Sequence, residues 1–432
     1  MTVDAERTDT APPRFPHPDA LGPRPWFRRR FPRSSELAPL LRPRPFILDR
    51  TDRRLARAES VSALRAIARQ RVPRAVFDYT DGGAGDEIAM ERSAEFFRDI
   101  EFHPRVLRDV SRVDTRTPVL GSESALPFGL GPTGFTRMMH HEGEIGVARA
   151  AARAGVPYAL STMGTTSLED VSDAVPASRK WFQLYLWRDR EASRDLVRRA
   201  AEAGYEALVL TVDTPVAGPR LRDVRNGLTI PPSLTLRTVV DASRKPSWWF
   251  NLLSTPPLEF ASMSSKDETI AQLVGSMFDP AATVADLGWL REIWGGKLIV
   301  KGVQGVADAR AVVDAGADAV VVSNHGGRQL DRAPVPMEQL PAIAKAIGDH
   351  ADVLVDGGIR SGADVAVALC LGADFVLIGR AYLFGLMAGG ERGVDRALEL
   401  MAVELRNTMQ LLGVDSIDQL QDSHVRRRDQ RG

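Results

Sequence analysis

Residues 297–323, KLIVKGVQGVADARAVVDAGADAVVVS, contain two short apolar runs on either side of an amphipathic segment. The runs Lys297–Lys301 and Ala319–Ser323 have the length of strands, and the segment Val306–Ala315 between them has helical periodicity. A strand, a helix and a second strand in this order form a βαβ unit, whose strands lie parallel in one sheet. The stretch therefore predicts an α/β protein with a parallel sheet.

The same alternation extends over most of the chain, and helical segments such as Glu142–Ala154 and Gly362–Leu371 separate the apolar runs. Eight strands with intervening helices predict a closed (β/α)8 TIM barrel. The alternative, an open doubly wound sheet, would carry a G-x-G-x-x-G fingerprint after its first strand. Residues 131–135 read GPTGF instead, which favours the barrel. The eight runs are Pro127–Gly131, Tyr158–Ser161, Trp181–Leu186, Ala207–Val212, Lys297–Lys301, Ala319–Ser323, Asp352–Asp356 and Asp374–Ile378.

Two regions lie outside the alternation. Residues 1–59 are rich in proline and arginine and predict an extended arm, so the barrel domain is expected at residues 60–432. The arm lacks the apolar region of a secretory signal, and its Trp26–Phe31 run offers an alternative role as a membrane-surface contact.

The second region is an insertion at residues 214–282 after the fourth strand, far longer than the ~2–6 residues of an ordinary βα loop. It predicts a lid or a binding loop.

The composition excludes several classes of protein. The 56 Lys and Arg residues equal the 56 Asp and Glu residues, so no overall field would attract nucleic acid or a membrane. Cys370 is the only cysteine, which excludes a disulfide framework and a Cys-based zinc or iron–sulfur site, and no metal site is predicted. No apolar stretch reaches the ~18 residues of a membrane span.

Polar residues collect where the eight predicted strands end. In a TIM barrel these ends meet at the face that carries the active site. Barrel stability does not require polar residues at every end, so the clustering indicates catalysis. The candidates are Pro132, Thr133, Gly134, Ser161, Gln183, Tyr185, Thr211, Asp213, Lys301, Ser323, His325, Asp356, Gly357, Gly358, Gly379 and Arg380.

The last two strand ends are rich in glycine and arginine. Asp356–Arg360 and Gly379-Arg380 follow the seventh and eighth strands, where barrels often bind phosphate through backbone N–H groups. Glycine lets the backbone approach an anion, and arginine can bind it with two parallel hydrogen bonds. The alternative is a pair of tight turns with surface arginines. Two such segments at these strands favour a phosphate-bearing ligand, with Arg360 and Arg380 as candidate side-chain ligands.

The sixth strand leads into His325 and Arg328. A lone histidine is more often structural than catalytic, but this one lies just beyond a barrel strand in a polar segment. Histidine suits general-base work near neutral pH, arginine offers a planar fork for a carboxylate, and Asp213 can orient the imidazole. For Lys301 two functional roles stay open: a Schiff base, or a fixed positive charge beside a cofactor that becomes anionic.

Several short motifs are spread over most of the barrel, and their order along the chain is that of a known family. They are Asp78-Tyr79, Phe182–Tyr185, Leu210–Pro215, Val300–Gly302, Ser323–Asp331, Asp356–Arg360 and Ile378–Arg380. With them, residues from about Ser60 to Ser423 resemble the FMN-dependent L-2-hydroxy-acid dehydrogenases and oxidases. Thr133–His140, Arg220–Gly227 and Phe278–Pro280 look most like the respiratory L-lactate dehydrogenases of actinobacterial type.

The resemblance implies a cofactor, FMN, and a set of roles. The FMN ring and ribityl chain would be held by Pro132, Thr133, Gly134, Ser161, Gln183, Thr211, Lys301 and Ser323, and its phosphate by Asp356, Gly357, Gly358, Arg360, Gly379 and Arg380. His325 is the expected base, supported by Asp213. Tyr79, Arg328 and Arg220 are expected to bind the substrate carboxylate, and Tyr185 its hydroxyl. Lys301 would offset the negative charge of the reduced ring.

The implied reaction is the oxidation of L-lactate to pyruvate, with electrons passed to a quinone or cytochrome. His325 would remove either the hydroxyl proton or the Cα proton, and the sequence leaves both open. Met163 stands where several oxidases have an aromatic residue, and Pro219 where many relatives have arginine. The alternatives are therefore an oxidase or dehydrogenase for glycolate, mandelate or a larger L-2-hydroxy acid. More remote are a flavin-free lyase with Lys301 as Schiff base and a non-catalytic scaffold, although a scaffold need not keep His325 and Arg328.

We also expect a homo-oligomer in the cytoplasm, and the zero net charge predicts no nucleic-acid partner. The Trp248-Trp249-Phe250 cluster and the neighbouring Leu252-Leu253 predict a peripheral contact with the inner face of the cell membrane, where a quinone would collect electrons. The alternative is that these aromatic residues pack on the barrel or at a subunit interface.

Overall fold

The computed structural model describes residues 31–38, 47–227, 243–263 and 278–428. The chain divides into two compact units, Met1–Leu48 and Asp49–Gly432. The described part of the first unit contains helix α1 (Ser34–Leu37). Most of the Trp26–Phe31 run lies outside the described residues, and the predicted boundary between residues 59 and 60 stays a prediction.

Eight parallel strands of the second unit close into a barrel, and the last of them, Phe375–Ile378, pairs with the first, Phe128–Leu130, to complete the ring. Each predicted apolar run overlaps one of these strands. The (β/α)8 barrel is therefore confirmed, and the open doubly wound sheet is wrong. The barrel strands, numbered in chain order, are β4 (Phe128–Leu130), β5 (Tyr158–Ser161), β6 (Lys180–Tyr185), β7 (Ala207–Thr211), β8 (Lys297–Val303), β9 (Ala319–Val322), β10 (Asp352–Val355) and β11 (Phe375–Ile378).

Helices pack against the strands of the barrel. The helix α9 (Arg190–Glu202) shows the local logic, because Asp189 caps its first turn and Leu196, Val197 and Ala200 recur at helical spacing and are buried. The other helices are α2 (Arg50–Leu55), α3 (Val61–Arg71), α4 (Arg74–Asp81), α5 (Ile88–Arg98), α6 (Thr136–Met139), α7 (Gly143–Ala154), α8 (Leu168–Ala174), α10 (Leu221–Asn226), α11 (Pro246–Leu253), α12 (Asp286–Ile293), α13 (Val306–Asp314), α14 (Pro336–Ile347), α15 (Gly362–Cys370), α16 (Arg380–Gly389) and α17 (Glu391–Leu412). Short 3₁₀ turns occur at Ala261–Met263, Ile417–Gln419 and Asp422–His424.

A hairpin closes the end of the barrel at which the strands begin. Its strands β2 (Thr117–Val119) and β3 (Ser122–Ser124) pair antiparallel, and Val119 and Leu120 join the apolar cluster inside the barrel. Trp181 and Phe375 belong to the same cluster, with ring centroids 6.2 Å apart. The polar groups of the interior therefore gather at the opposite end, where the strands finish. A separate two-stranded sheet joins β1 (Ile100–Phe102) to β12 (Val425–Arg427).

The insertion after β7 contains α10 and α11, and its residues 228–242 and 264–277 lie outside the described part of the chain. On α11, Trp248 packs against the barrel core and its Nε1 donates to the Met138 carbonyl oxygen at 2.9 Å. The side chains of Phe250 and Leu253, one turn apart, are 73% and 75% exposed. Trp248 thus packs on the barrel, as the alternative anticipated, whereas Phe250 and Leu253 form an exposed apolar pair. None of the helices in the described ranges has both the length and the hydropathy needed to cross a bilayer.

Candidate active site

A cavity of about 140 Å³ opens at the carboxyl ends of the barrel strands. All of the predicted site residues except Asp213 and Ser323 line it. Those two lie directly behind the lining: Asp213 contacts His325, and Ser323 accepts a hydrogen bond from Lys301. The closed barrel therefore brings the whole predicted set together, and the cavity also includes Met163, whose position left the size of the substrate open.

His325 is held with one ring nitrogen turned away from the cavity. Its Nδ1 lies 3.0 Å from Asp213 Oδ1, and its backbone N–H donates to Ser323 Oγ at 3.0 Å. The residue has a left-handed φ of 58°, which two left-handed glycines, Gly326 and Gly327, continue. Such a conformation is uncommon for a residue with a side chain and is often found at functional sites. With Nδ1 engaged by a carboxylate, Nε2 is the atom available to a substrate proton.

Asp213 keeps its charge although it is buried. Burial alone would raise the pKa of its carboxyl group, but the His325 ring and the Lys301 ammonium hold that pKa below its ordinary value. Gly302, with φ of 107°, makes the approach feasible, because a Cβ there would lie 2.7 Å from the Asp213 side chain. The ionised Asp213 therefore fixes the imidazole and stabilises its protonated form.

Two guanidinium groups converge on Tyr79. The Cζ atoms of Arg328 and Arg220 lie 4.9 Å and 5.3 Å from the centre of the Tyr79 ring. Arg328 Nη1 donates to the backbone oxygens of Tyr79 and Gly82, at 2.6 Å and 3.2 Å, and Arg220 is paired with Asp223 at 3.3 Å. Burial, and then the charge of Arg220, lower the pKa of Arg328. This part of the cavity therefore favours an anion, and a carboxylate matches the planar fork of Arg328.

Tyr185 lines the cavity, and its ring centroid lies 5.3 Å from that of Phe278. Burial, and then the Asp213 charge, raise the pKa of the Tyr185 phenol. The hydroxyl therefore keeps its proton at any physiological pH and can donate a hydrogen bond to a substrate oxygen.

Several buried polar atoms on the β5–β7 side of the cavity have no partner among the described residues. Gln183 accepts from Ser161 Oγ at 3.0 Å, but its Nε2 is left unpaired, as is Thr211 Oγ1. Buried polar atoms without partners are rare in native proteins. The carbonyls and ring nitrogens of a flavin would satisfy these atoms, so the residues present fit FMN.

Lys301 is a fixed cation in this wall. Its Nζ lies 2.8 Å from Asp356 Oδ2 and donates to Ser323 Oγ at 2.9 Å. Burial alone would lower the pKa of the ammonium, but the Asp356 and Asp213 carboxylates hold it above its ordinary value. A Schiff base requires a neutral amine, so this environment opposes the lyase alternative and suits a charge that stabilises an anionic ring.

The end of the cavity near β10 and β11 fits a phosphate. Gly357 and Gly358 have φ values of 100° and 80°, so the chain turns there as only glycine does readily. Burial lowers the pKa of Arg360 to about 10, and its Nη1 donates to its neighbour's carbonyl. Arg380 donates to the backbone oxygens of Thr80, Gly326 and Gly82 at 2.7–2.9 Å. Arg380 thus also ties α4 to the loop that carries His325, a role that sequence patterns did not reveal.

Tyr382 is a site residue that the sequence analysis missed. Its hydroxyl donates to the Gly131 carbonyl oxygen at 2.9 Å and lies 2.5 Å from Thr133 Oγ1. It therefore positions the Pro132–Gly134 segment of the cavity wall. No spacing signal marks it, because Tyr382 and Gly131 are 251 residues apart in the chain.

We expect Tyr382→Phe to weaken FMN binding by roughly fivefold, since a buried hydrogen bond contributes about 1 kcal/mol. Equilibrium dialysis of free FMN against the apoprotein measures this change. The matched control is Tyr205→Phe, which removes a buried hydroxyl that donates to the Leu168 carbonyl oxygen away from the cavity. An FMN dissociation constant that both variants leave unchanged would contradict the positioning role of Tyr382.

Gln329 and Arg222 attach the first part of the insertion to the residues around the cavity. Gln329 Nε2 donates to the backbone oxygens of Asp213 and Val216, at 3.1 Å and 2.9 Å. Arg222 on α10 bonds Asp81 at 3.1 Å and also bonds Glu87. The first part of the insertion, which carries Arg220, is thereby attached to α4 and to the His325 loop.

The chain is similar to several known proteins. Residues 68–427 match the model of the FMN-dependent dehydrogenase family. A protein provisionally named L-lactate dehydrogenase in Mycobacterium tuberculosis (strain ATCC 25618 / H37Rv) is 56% identical over 92% of this chain and 96% of its own. An L-lactate dehydrogenase of Caulobacter sp. (strain K31) is 45% identical over 86% of this chain and 99% of its own. Among solved structures, a monotopic membrane protein, (S)-mandelate dehydrogenase, superposes with a TM-score of 0.82 at 37% identity, covering 86% of this chain and 100% of that one.

Proposed function

Because the chain belongs to the FMN-dependent dehydrogenase family, we propose that it oxidises L-lactate to pyruvate with FMN as its cofactor. The family bears out the prediction of FMN and sets aside the flavin-free lyase and the non-catalytic scaffold. The observation that carries the proposal is the His325–Asp213 pair facing the Arg328–Arg220–Tyr79 cluster across one cavity. A base and a carboxylate site on the same cavity are what a 2-hydroxy acid requires. The L-lactate dehydrogenase names of the relatives support lactate as the substrate.

The proposed roles follow from the contacts. Arg328 and Arg220 bind the substrate carboxylate and orient the 2-hydroxyl carbon, while the Tyr185 hydroxyl donates to the substrate oxygen. His325 Nε2 accepts the proton that the oxidation releases, and the Asp213 carboxylate stabilises the resulting imidazolium. FMN, when bound, supplies the two-electron acceptor for the hydrogen that leaves Cα.

The remaining predicted residues serve the cofactor in this proposal. Lys301 holds a positive charge near the ring, and Gln183 and Thr211 offer the unpaired polar atoms described above. The phosphate is assigned to Gly357, Gly358 and Arg360, with Gly379 and Arg380 beside them. The other proposed contacts are Pro132, Thr133, Gly134, Ser161, Ser323 and Asp356.

A panel of L-2-hydroxy acids tests the substrate. The purified holoenzyme is mixed anaerobically with L-lactate, glycolate, (S)-mandelate or a larger acid, and bleaching of the flavin absorbance is followed. We expect L-lactate to reduce the flavin with the highest second-order rate constant. A higher rate constant with mandelate would reassign the substrate in favour of the alternative that the mandelate dehydrogenase neighbour supports.

The electron acceptor in this proposal is a quinone or cytochrome, reached by peripheral contact of a cytoplasmic homo-oligomer with the inner face of the cell membrane. The exposed pair Phe250 and Leu253 supports the contact, because apolar side chains of this size favour a bilayer interface. The structural likeness to (S)-mandelate dehydrogenase, a monotopic membrane protein, supports it as well. Reoxidation of the reduced enzyme by a soluble quinone, compared with oxygen, distinguishes a dehydrogenase from an oxidase.

A further inference from the structure

A second polar cavity, of about 220 Å³, lies where α2, α3 and α11 approach the start of α17, and none of its residues line the active site. Among the residues that line it are Arg54, Arg71, His140, His141, Glu142 and Asn251. Nothing in the proposed reaction uses these side chains. Any ligand of this cavity would therefore be separate from the substrate and the cofactor.

The residues that line the cavity include three arginines and one carboxylate, that of Glu142. Arg54 donates to the Ala388 carbonyl oxygen at 2.9 Å, and Arg71 to Ser247 Oγ at 2.8 Å, and neither forms an ion pair with any described residue. A third arginine of the wall, Arg392, is already paired with Asp49 and Asp52 at 3.2 Å and 2.9 Å. Glu142 Oε2 already accepts from a backbone N–H. Asp49 and Asp52 lie outside the lining, and the Asp49 charge also acts on Arg54.

The positive charges around the two histidines of the cavity oppose a metal ion there. Burial, followed by the charges of His141, Arg71 and Arg54, lowers the pKa of His140 to about 3, so its ring is neutral. His141 Nδ1 is buried without a hydrogen-bond partner among the described residues. His140, His141 and Glu142 place ligand atoms within 4.8 Å of one another, as a metal site would. The charges of Arg54 and Arg71 that act on His140 would, however, repel a divalent cation there.

The same helix joins this cavity to the exposed apolar pair. Lys245 Nζ donates to the Gln70 carbonyl oxygen at 2.6 Å, and with the Arg71–Ser247 bond this fixes the start of α11 to the end of α3. Asn251 lines the cavity, whereas Phe250 and Leu253 point to solvent. A bilayer that receives the apolar pair would therefore bring its headgroups near the cavity.

We propose that this cavity binds the phosphate of an anionic lipid headgroup, held by the Arg54 and Arg71 guanidinium groups, while Phe250 and Leu253 enter the apolar layer beside it. Arginine binds phosphate oxygens through paired hydrogen bonds, which suits a buried rather than a diffuse contact. The inference rests on the proposed membrane contact and names the lipid class that it recognises. A soluble phosphate would not require an exposed apolar pair next to the cavity.

Vesicle binding of the full-length holoenzyme tests the proposal. Flotation is compared on vesicles of phosphatidylcholine alone and of phosphatidylcholine with phosphatidylglycerol, for the parent and for Arg54→Gln/Arg71→Gln. We expect the parent to prefer the anionic vesicles and the variant to lose about tenfold or more in apparent affinity for them. The matched control is Arg53→Gln/Arg69→Gln, which removes the same charge from exposed positions of the same two helices. We expect less than a threefold loss for this control.

Three outcomes would overturn the proposal: equal parent binding to both kinds of vesicle, equal losses in the two double variants, or tight binding of inorganic phosphate in calorimetry without vesicles. Equal losses would indicate diffuse surface charge, and the calorimetric result would indicate a soluble ligand.

Arg71→Gln alone, which disturbs one exposed hydrogen bond, gives a second variant if the double variant folds poorly. Phe250→Ser/Leu253→Ser should reduce flotation on both vesicle types, and a parent that floats on neither refutes the membrane contact itself. Flavin reduction by L-lactate is measured in parallel, so failure of the proposed reaction is scored separately.

Discussion

Replacement of His325 by alanine is expected to slow reduction of the bound flavin by L-lactate by ~10²–10⁴-fold, the usual contribution of a general base. The ring nitrogen that would accept the substrate proton is lost, while Lys301, Gln183 and Thr211 on the cofactor side of the cavity remain. FMN should therefore stay bound. Anaerobic stopped-flow measurement of flavin bleaching at saturating L-lactate reads the rate directly.

A second substitution at position 325 controls for backbone strain, because the residue there has a left-handed φ of 58°. Asparagine tolerates the left-handed region better than alanine, so His325→Asn should show the same loss of rate with less strain on the fold. His350→Ala, at an exposed position, should reduce flavin at the parent rate. Reduction of either His325 variant by L-lactate at the parent rate would remove His325 from the proposed mechanism.

Replacement of Arg328 by lysine is expected to lower kcat/KM for L-lactate by roughly 10- to 100-fold, because a hydrogen-bonded charge pair contributes about 1.5–3 kcal/mol. Lysine keeps the positive charge but loses the planar fork that binds both carboxylate oxygens. It also loses the bonds from Nη1 to the backbone oxygens of Tyr79 and Gly82. Both KM and kcat should therefore change.

Arg332→Lys, four residues later on an exposed position, is the matched control and should keep the parent constants. The flavin content of Arg328→Lys is measured as well, so that loss of cofactor is not mistaken for loss of substrate binding. Unchanged kinetic constants for L-lactate in Arg328→Lys would show that this guanidinium does not contact the carboxylate.

Much of the architecture was contained in local sequence patterns. Strand length and helical periodicity are properties of neighbouring residues, so the eight runs from Pro127 to Ile378 predicted the closed barrel. Parallel barrel strands finish on one face, and this rule alone placed residues as distant as Ser161 and Arg380 near one another. The cavity contains both.

Other features depended on contacts between distant parts of the chain. The environment of the aromatic residues on α11 was one of them, because Trp248 and Phe250 are both large aromatic residues and no pattern in the sequence distinguishes their exposure. Only the position of α11 against α6 decided that Trp248 packs and bonds the Met138 carbonyl while Phe250 stays exposed. The partners of Arg380 and Tyr382 were hidden for the same reason, since hydrogen bonds to backbone oxygens 300 and 251 residues away leave no pattern in composition or spacing.

The sequence by itself thus determined the barrel, the face that carries the active site and the residues gathered there, because periodicity and strand direction act locally and repeat along the chain. The tertiary structure decided which of those side chains are charged, paired or free. Asp213 is ionised, Lys301 is paired with Asp356, and outside that face Arg54 and Arg71 form no ion pair with any residue that the structure describes. These states depend on burial and on distances between charges, and both are set only when the helices and strands come together.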